Sequence, residues 1–236
     1  GHTDATWPLL PAITRRLFNP AKSVCLNTDR AVDKSAEQGL FLVFRGHAYP
    51  YFPQWVWLGS DPEIKWKQII IAQHHRLPPR LLEWATNPLV ALFFSVEGNP
   101  SRCRHRSPCR FRGSKGKHHG AVFVLLDQDT FSEAALARCN PQPPLYIGKN
   151  DPGMIRPPEI DRRISAQGSL FSIRSSPVQP VQPDKVILVD VSCREQLLRQ
   201  LDTLGISRRA LFPDLDGISD YLKWSAPHWK PNPGFR

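Results

Sequence analysis

No stretch of the 236-residue chain approaches 18 consecutive apolar residues, and no basic segment leads into an apolar one at its start. The first absence argues against a membrane-spanning helix, and the second against a secretory leader within this sequence. Gly1-His2 reads as a cloning remnant, so the native start and any targeting signal are expected to lie outside the sequence. There is no CxxC among the five cysteines (Cys25, Cys103, Cys109, Cys139, Cys193), and their number is odd. That fits a reducing compartment better than a disulfide framework. Cys103 and Cys109 lie near His105, His118 and His119, but their spacing matches no standard zinc module, and no metal is expected. No internal repeat is visible. Acids are wanting between Arg102 and Lys117, where seven Lys or Arg stand. They carry most of the formal charge of +10 and leave about +3 for the rest. That run reads either as a patch for nucleic acid or another polyanion, or as a solvated basic loop. With Phe111 its one aromatic, it offers little for bases to stack on, and the solvated loop is the preferred reading.

What is present is a globular composition, 41% hydrophobic, long enough for a sizeable core. Residues 1–30 are Pro-interrupted, with a short basic helix expected near Ala12–Phe18, and Ala31–Gln38 is expected as a brief helix. Leu40–Phe44 reads as a buried strand that ends in Arg45-Gly46 and places a guanidinium at a sheet edge. Tyr49–Leu58 is an aromatic, Pro-rich loop or edge. Ile64–His75 has a helical pattern, Arg80–Thr86 suits a short strand, and Asn87-Pro88 begins a buried helix as N-cap and first helical residue. Ala121–Leu126 is expected as a fully buried strand and Phe131–Cys139 as a helix, with an irregular segment at 140–160. Ile164–Ile173 is expected as a strand with a bulge at Gln167-Gly168, and Lys185–Val191 as another. Cys193–Leu204 and Asp216–Trp224 are expected helices. Short strands mixed with helices, without regular βαβ alternation, indicate an α+β class.

The densest chemistry lies in QHHRLPPRLLEWATNPLVALFFSVE, residues 73–97. So many polar groups directly before a buried helix each need a partner, so Gln73–Thr86 is read as lining a site that the following helix anchors. FRG at 44–46, AQGSLFSI at 166–173 and LFPDLDG at 211–217 are its expected companions. Arg45 suits a phosphate or carboxylate because its planar fork pairs bidentately; a structural salt bridge is the plainer alternative. His74 and His75 suit general-base work near neutral pH, and equally suit satisfied core positions. Arg80 is expected to pair with Glu83. A strand running into a capped helix at Thr86-Asn87 suits an anion or a nucleotide.

These motifs, in this order, resemble the bacterial FRG domain. That family runs from an FRG segment, through a Gln-His…Leu-Pro…Arg-Leu-Leu-acid-Trp segment and a Gln-Gly-x-Phe strand, to a Phe-Pro-Asp-Leu-Asp-Gly helix start. The resemblance covers about residues 40–224, with 1–39 as an N-terminal extension, 102–119 as a basic insertion and 225–236 as a Pro-rich tail. Arg76, Pro79, Glu83 and Ala85 stand where the family usually has Gly, Thr, Asp and Thr. The chain also resembles, more weakly, ADP-ribosyltransferases, in which a strand ending Tyr/Phe-Arg-Gly grips the phosphates of NAD. This second resemblance implies a single mixed domain with a central, mostly antiparallel split sheet and flanking helices.

Together the resemblances imply an NAD-using, ADP-ribosyltransferase-like toxin or effector. Glu83, His75 and Gln167 would be catalytic, and Arg45, Gly46, Gln73, His74, Arg80 and Thr86 would hold the cofactor-like substrate NAD. The implied partners are NAD or a related nucleotide, a macromolecular acceptor, an immunity or antitoxin protein and, through Arg102–Lys117, nucleic acid; no membrane is implied. The implied location is the cytoplasm, native or of a target cell. A non-catalytic nucleotide-sensing module of a defence or regulatory system is the alternative, and a nucleic-acid-processing domain the third reading.

Overall fold

A computed structural model describes residues 1–15, 18–19, 24–25, 34–51, 62–75, 77, 80–99, 102, 109–126, 130–131, 153–173 and 178–226. The chain is mixed α+β, with small, mostly antiparallel sheets and several helices. After a short helix α1 (Ala12–Arg15) and a two-stranded ribbon, β1 (Phe18–Asn19) and β2 (Val24–Cys25), comes helix α2 (Lys34–Ala48). Helix α3 (Pro62–His74) leads to strand β3 (Leu82–Ala85) and helix α4 (Pro88–Val96). Strands β4 (Gly120–Val124), β5 (Thr130–Phe131) and β6 (Gly153–Ile155) follow. Then come helix α5 (Arg162–Gln167) and strands β7 (Ser169–Ile173) and β8 (Lys185–Val189). Three helices close the described chain: α6 (Arg194–Thr203), α7 (Arg208–Leu211) and α8 (Leu215–Ser225).

One sheet has the order β3-β7-β6-β5, antiparallel except between β5 and β6; the other pairs β4 with β8 antiparallel. Trp66, Ile69 and Ile70 of α3 pack with Leu81, Ile155, Ile164, Phe171 and Ile173 against the larger sheet. Val90, Ala91, Phe93 and Val96 of α4 pack with Val122, Val189, Leu201 and Leu211 on the smaller one. Helix α4 therefore follows the edge strand of one sheet and supports the other.

Local chemistry explains where α4 starts. The Asn87 side chain accepts a hydrogen bond from Leu89 N at 2.9 Å, and Pro88 occupies the first turn, where its missing N–H costs nothing. The helix expected over 64–75 is present as α3, and the strand expected within 80–86 is β3. The last helix is present as α8, capped by Asp214.

Three expected elements are corrected. Leu40–Phe44 is not a buried strand but the middle of α2. Phe44 and Ala48, one helical turn apart, pack with Ile71, and Phe41 joins the core beside α3, while Leu42 and Val43 are exposed at 62% and 60%. Five consecutive apolar residues carry no period of their own, so packing decided. Secondly, Ile164–Ile173 is not one bulged strand. Asp161 caps α5 by accepting from Arg163 N at 2.7 Å, and Gly168 ends that helix in the left-handed region at φ +55°. Only Ser169–Ile173 is strand. Thirdly, Ala121–Leu126 is not buried throughout: Phe123 to Leu125 are half-buried and Leu126 is exposed. Of the helix expected over Phe131–Cys139, Phe131 belongs to β5 and the remainder lies outside the described residues.

The basic segment is also built differently from a free loop. Arg102 bridges Lys117, Arg112 bridges His118, and His118 is 4% exposed, so its described part belongs to the fold.

Candidate functional site

A recess of about 200 Å³ lies along β3, roofed by α4 and β4. Glu83, Gln167 and Ser169 supply its polar groups, and Leu9, Trp84, Ala91, Phe94 and Phe123 much of its apolar wall, with Gly1 and His2 at its side. Register explains the first set. Glu83 stands opposite Phe171 and Ala85 opposite Ser169, so Glu83 and Ser169 share one face of the sheet as diagonal neighbours. The Ser169 hydroxyl donates to Glu83 Oε1 at 2.8 Å. On the opposite face Trp84 Nε1 donates to Ser172 Oγ at 2.8 Å.

Glu83 lines this recess and keeps a solvent-exposed face, while the protein packed around it crowds its carboxyl. Desolvation pushes its carboxyl above the usual carboxylate range, against the opposing effects of the Ser169 hydrogen bond and the Gly1 α-ammonium. Its hydrogen-bond partner is a serine, so the expected Arg80–Glu83 pair is not formed. Arg80 is instead fully enclosed at 2% exposure.

Gln167 reaches the recess from the end of α5. Its Nε2 donates to the Leu211 carbonyl at 2.9 Å, which ties the Gln-Gly segment to the LFPDLDG segment. Thr86 lies just beyond β3: its N–H and hydroxyl both donate to the Gly168 carbonyl, at 2.9 and 3.2 Å. Any side chain at Gly168 would meet Thr86 Oγ1 at 2.7 Å, so a glycine is required there for space as well as for its backbone.

His74 and His75 belong to a neighbouring cluster. His74 is buried, with its ring edge-on to Phe171 at 5.9 Å, and burial lowers its pKa to about 4. It is thus a neutral imidazole at pH 7, and its Nε2 has no hydrogen-bond partner among the described residues. His75 is exposed, with a pKa lowered chiefly by burial of its ring against the protein. Arg163, which sequence reading passed over, organises this cluster. It donates to Asp214 Oδ2 through Nε at 2.9 Å, and to the His74 carbonyl at 3.5 Å. Gln73 sits in the last turn of α3 with its Oε1 buried and unpaired among the described residues.

Arg45 and Gly46 are elsewhere. They line a separate surface hollow with Leu42, Tyr49 and Pro50, and nothing within 4 Å of Gly46 demands a glycine. Of the four motif segments, three meet through direct hydrogen bonds: residues 73–88, 166–173 and 211–217. The FRG segment packs on α3 instead. Ser169 and Arg163 are residues of these clusters that the sequence pattern did not single out. Ser169 was legible in principle, because pairing β3 with the Gln-Gly strand puts a polar residue beside Glu83. Arg163 was not, because its partner Asp214 is 51 residues away.

Among the described residues no group of three or more His, Cys, Asp or Glu is arranged to hold a metal ion, and no helix is long and apolar enough to cross a membrane. Cys103 and His105 lie outside the described residues, and His119 accepts from Val191 N at 3.2 Å.

The class is therefore a mixed α+β protein with a recess between two small sheets, holding one desolvated carboxyl. The model of the FRG domain family matches residues 1–103, a stretch that takes in both the FRG segment and the Glu83 segment, so an FRG domain is present there. No curated protein and no solved structure matches the chain.

Proposed function

We propose that the Glu83 recess is the reaction site of an ADP-ribosyltransferase-like enzyme that uses NAD and passes ADP-ribose to a macromolecular acceptor. The observation that carries this reading is Glu83 itself: a carboxyl held by Ser169 in a desolvated recess between two sheets. Transfer from NAD breaks the bond between C1′ of the ribose and the nicotinamide nitrogen, which leaves with the bonding electron pair. A nucleophilic oxygen or nitrogen of the acceptor then bonds to C1′ and loses its proton. Positive charge develops on the ribose in between, and an ionised Glu83 facing that charge in the recess stabilises it. Trp84 and Phe94 supply flat apolar surface for a ring-sized leaving group. The recess is smaller than the roughly 300–1,000 Å³ usual for a whole ligand of drug size, so it suits the nicotinamide end and not an entire dinucleotide.

His75 and Arg45 do not line this recess and would not touch the reacting atoms there. The test is nicotinamide release by the purified chain. Glu83→Gln should lower it by about 100-fold or more, the scale of losing one electrostatic contact to a transition state. Arg45→Ala should leave it near wild type. Undiminished release by Glu83→Gln would sink the proposal.

A second reading is a nucleotide-sensing module without turnover. It is favoured by Gln167, a neutral side chain whose amide is already committed to the Leu211 carbonyl. NAD that raises the melting temperature without any nicotinamide release would select this reading.

A further inference from the structure

Away from the recess, the start of the chain and the described end of the basic segment bring together a carboxylate, an imidazole and a thiol. Asp4 is 2% exposed, and its Oδ1 accepts from Thr6 N at 2.9 Å and Thr6 Oγ1 at 2.6 Å, which fixes the carboxylate plane. Its Oδ2 lies 2.9 Å from Nδ1 of His118, itself 4% exposed. The other ring nitrogen, Nε2, faces Sγ of Cys109 at 3.9 Å, and Cys109 is a free thiol that is partly exposed.

The order of these groups matters more than their closeness. A carboxylate at Nδ1 holds the ring proton there and leaves the Nε2 lone pair directed at the thiol. A nucleophile, a base and a group that orients the base are the parts of an activated cysteine, and such contacts are often long before a reactant binds. A purely structural Asp–His pair would satisfy both buried groups without a reachable sulfur on the remaining nitrogen. The surroundings add charge. Cys109 begins a turn closed by Arg112 N donating to the Cys109 carbonyl at 3.0 Å. Arg112 pairs with His118 as an isolated bridge, and Arg110 lies over the Phe111 ring at 4.6 Å; both arginines are exposed.

We propose that Cys109 is a modification site, a thiol activated by His118 and Asp4 that forms mixed disulfides with small anionic disulfides. The thiol proton passes to His118 Nε2, and the sulfur attacks one sulfur of the incoming disulfide. The S–S bond breaks as the new one forms. The leaving thiolate takes the proton back from His118 and departs as a thiol. Cys109 is oxidised and half of the disulfide is reduced, so the exchange balances without another reagent. Arg110 and Arg112 favour a carboxylate-bearing reactant. Asp4 is a positioning residue, because it acts through the imidazole.

Site-resolved mass spectrometry of the full chain treated with oxidised glutathione tests this. The exposed Cys193, with the Ser192 hydroxyl at 3.9 Å, is the internal reference thiol. Cys109 should be modified at least about tenfold faster than Cys193 in the wild type, and His118→Gln or Asp4→Asn should bring it to about the Cys193 rate. Reversing the exposed pair, Arg110→Glu with Arg112→Glu, should slow glutathionylation while leaving reaction with neutral hydroxyethyl disulfide unchanged. That arm avoids buried positions, so it decides even if a variant at Asp4 or His118 fails to fold. A wild-type Cys109 no faster than Cys193 would overturn the proposal, as would an unaltered Cys109 rate in a folded His118→Gln.

Discussion

The Ser169 hydroxyl donates to Glu83 Oε1 across 2.8 Å, joining the edge strand β3 to its neighbour β7 where the recess opens. The bond orients a carboxyl whose pKa is raised by desolvation, and it engages only Oε1.

Glu83→Gln separates chemistry from stability. The folded carboxyl is raised above its unfolded value, so the folded chain keeps a proton that the unfolded chain has released. Stability contributed by Glu83 is then present at acid pH and lost as pH rises through the carboxylate range. Glutamine keeps an oxygen that accepts from Ser169 and never ionises. In thermal melts the variant should match wild type below the usual carboxylate range and exceed it by a margin that grows as pH rises through that range. A variant less stable than wild type at neutral pH would show that the carboxylate is a structural anchor.

His74 should shape the acid limb of the stability curve. Its pKa falls from 6.5 to about 4 on folding, mainly through desolvation. The unfolded chain takes up the proton first, so stability is fully present above 6.5 and lost as pH falls toward 4. Converted directly, the shift is on the order of 3 kcal/mol across that window. His74→Phe should flatten this part of the curve; the residual slope reports His75, whose pKa is lowered in the same direction. Denaturant midpoints at three pH values would measure it, and an unchanged slope would count against a buried neutral imidazole.

Gly168→Ala should cost about 1–3 kcal/mol, because a left-handed φ of +55° is strained for alanine and the new methyl meets Thr86 Oγ1 at 2.7 Å. Pairing it with Thr86→Ser keeps that hydroxyl, whereas Thr86→Ala removes it. Partial rescue by Thr86→Ala alone would assign part of the loss to the close approach. No rescue by either would assign it to the backbone.

Asp214 caps α8 by accepting from Gly217 N at 2.7 Å, and it pairs with Arg163. The Gly217 bond is the larger cause holding its carboxyl below the usual range, with Arg163 second. Its contribution is therefore present above the unfolded aspartate value and lost as pH falls through the folded one. Asp214→Ala should cost about 1–2 kcal/mol at neutral pH, most of it the cap. Asp214→Asn should retain most of the cap but respond less to acid. Equal losses for the two variants at pH 7 would instead weight the partly exposed ion pair.

Local chemistry alone determined the elements with strong punctuation. Asn87-Pro88 had to begin a helix, Asp214 opens the last one, and Gly205, at φ +79°, follows α6. These depend on hydrogen bonds and backbone angles within a few residues, which a linear reading contains. That residues 73–88, 166–173 and 211–217 come together was also legible, because their polar groups could not all be buried without partners.

Tertiary structure alone decided the rest. Leu40–Phe44 has no period, so only packing of Phe44 and Ala48 on Ile71 made it helix and set Arg45 apart from Glu83. Gln167 sits at a helix end because Asp161 and Gly168 bracket six residues that would otherwise read as strand. The partner of Glu83 is Ser169 and not Arg80, because strand register across 86 residues, and not proximity in sequence, sets which side chains share a face. Asp4 and His118 meet across 114 residues for the same reason: pairing brings distant side chains together, and no local pattern records it.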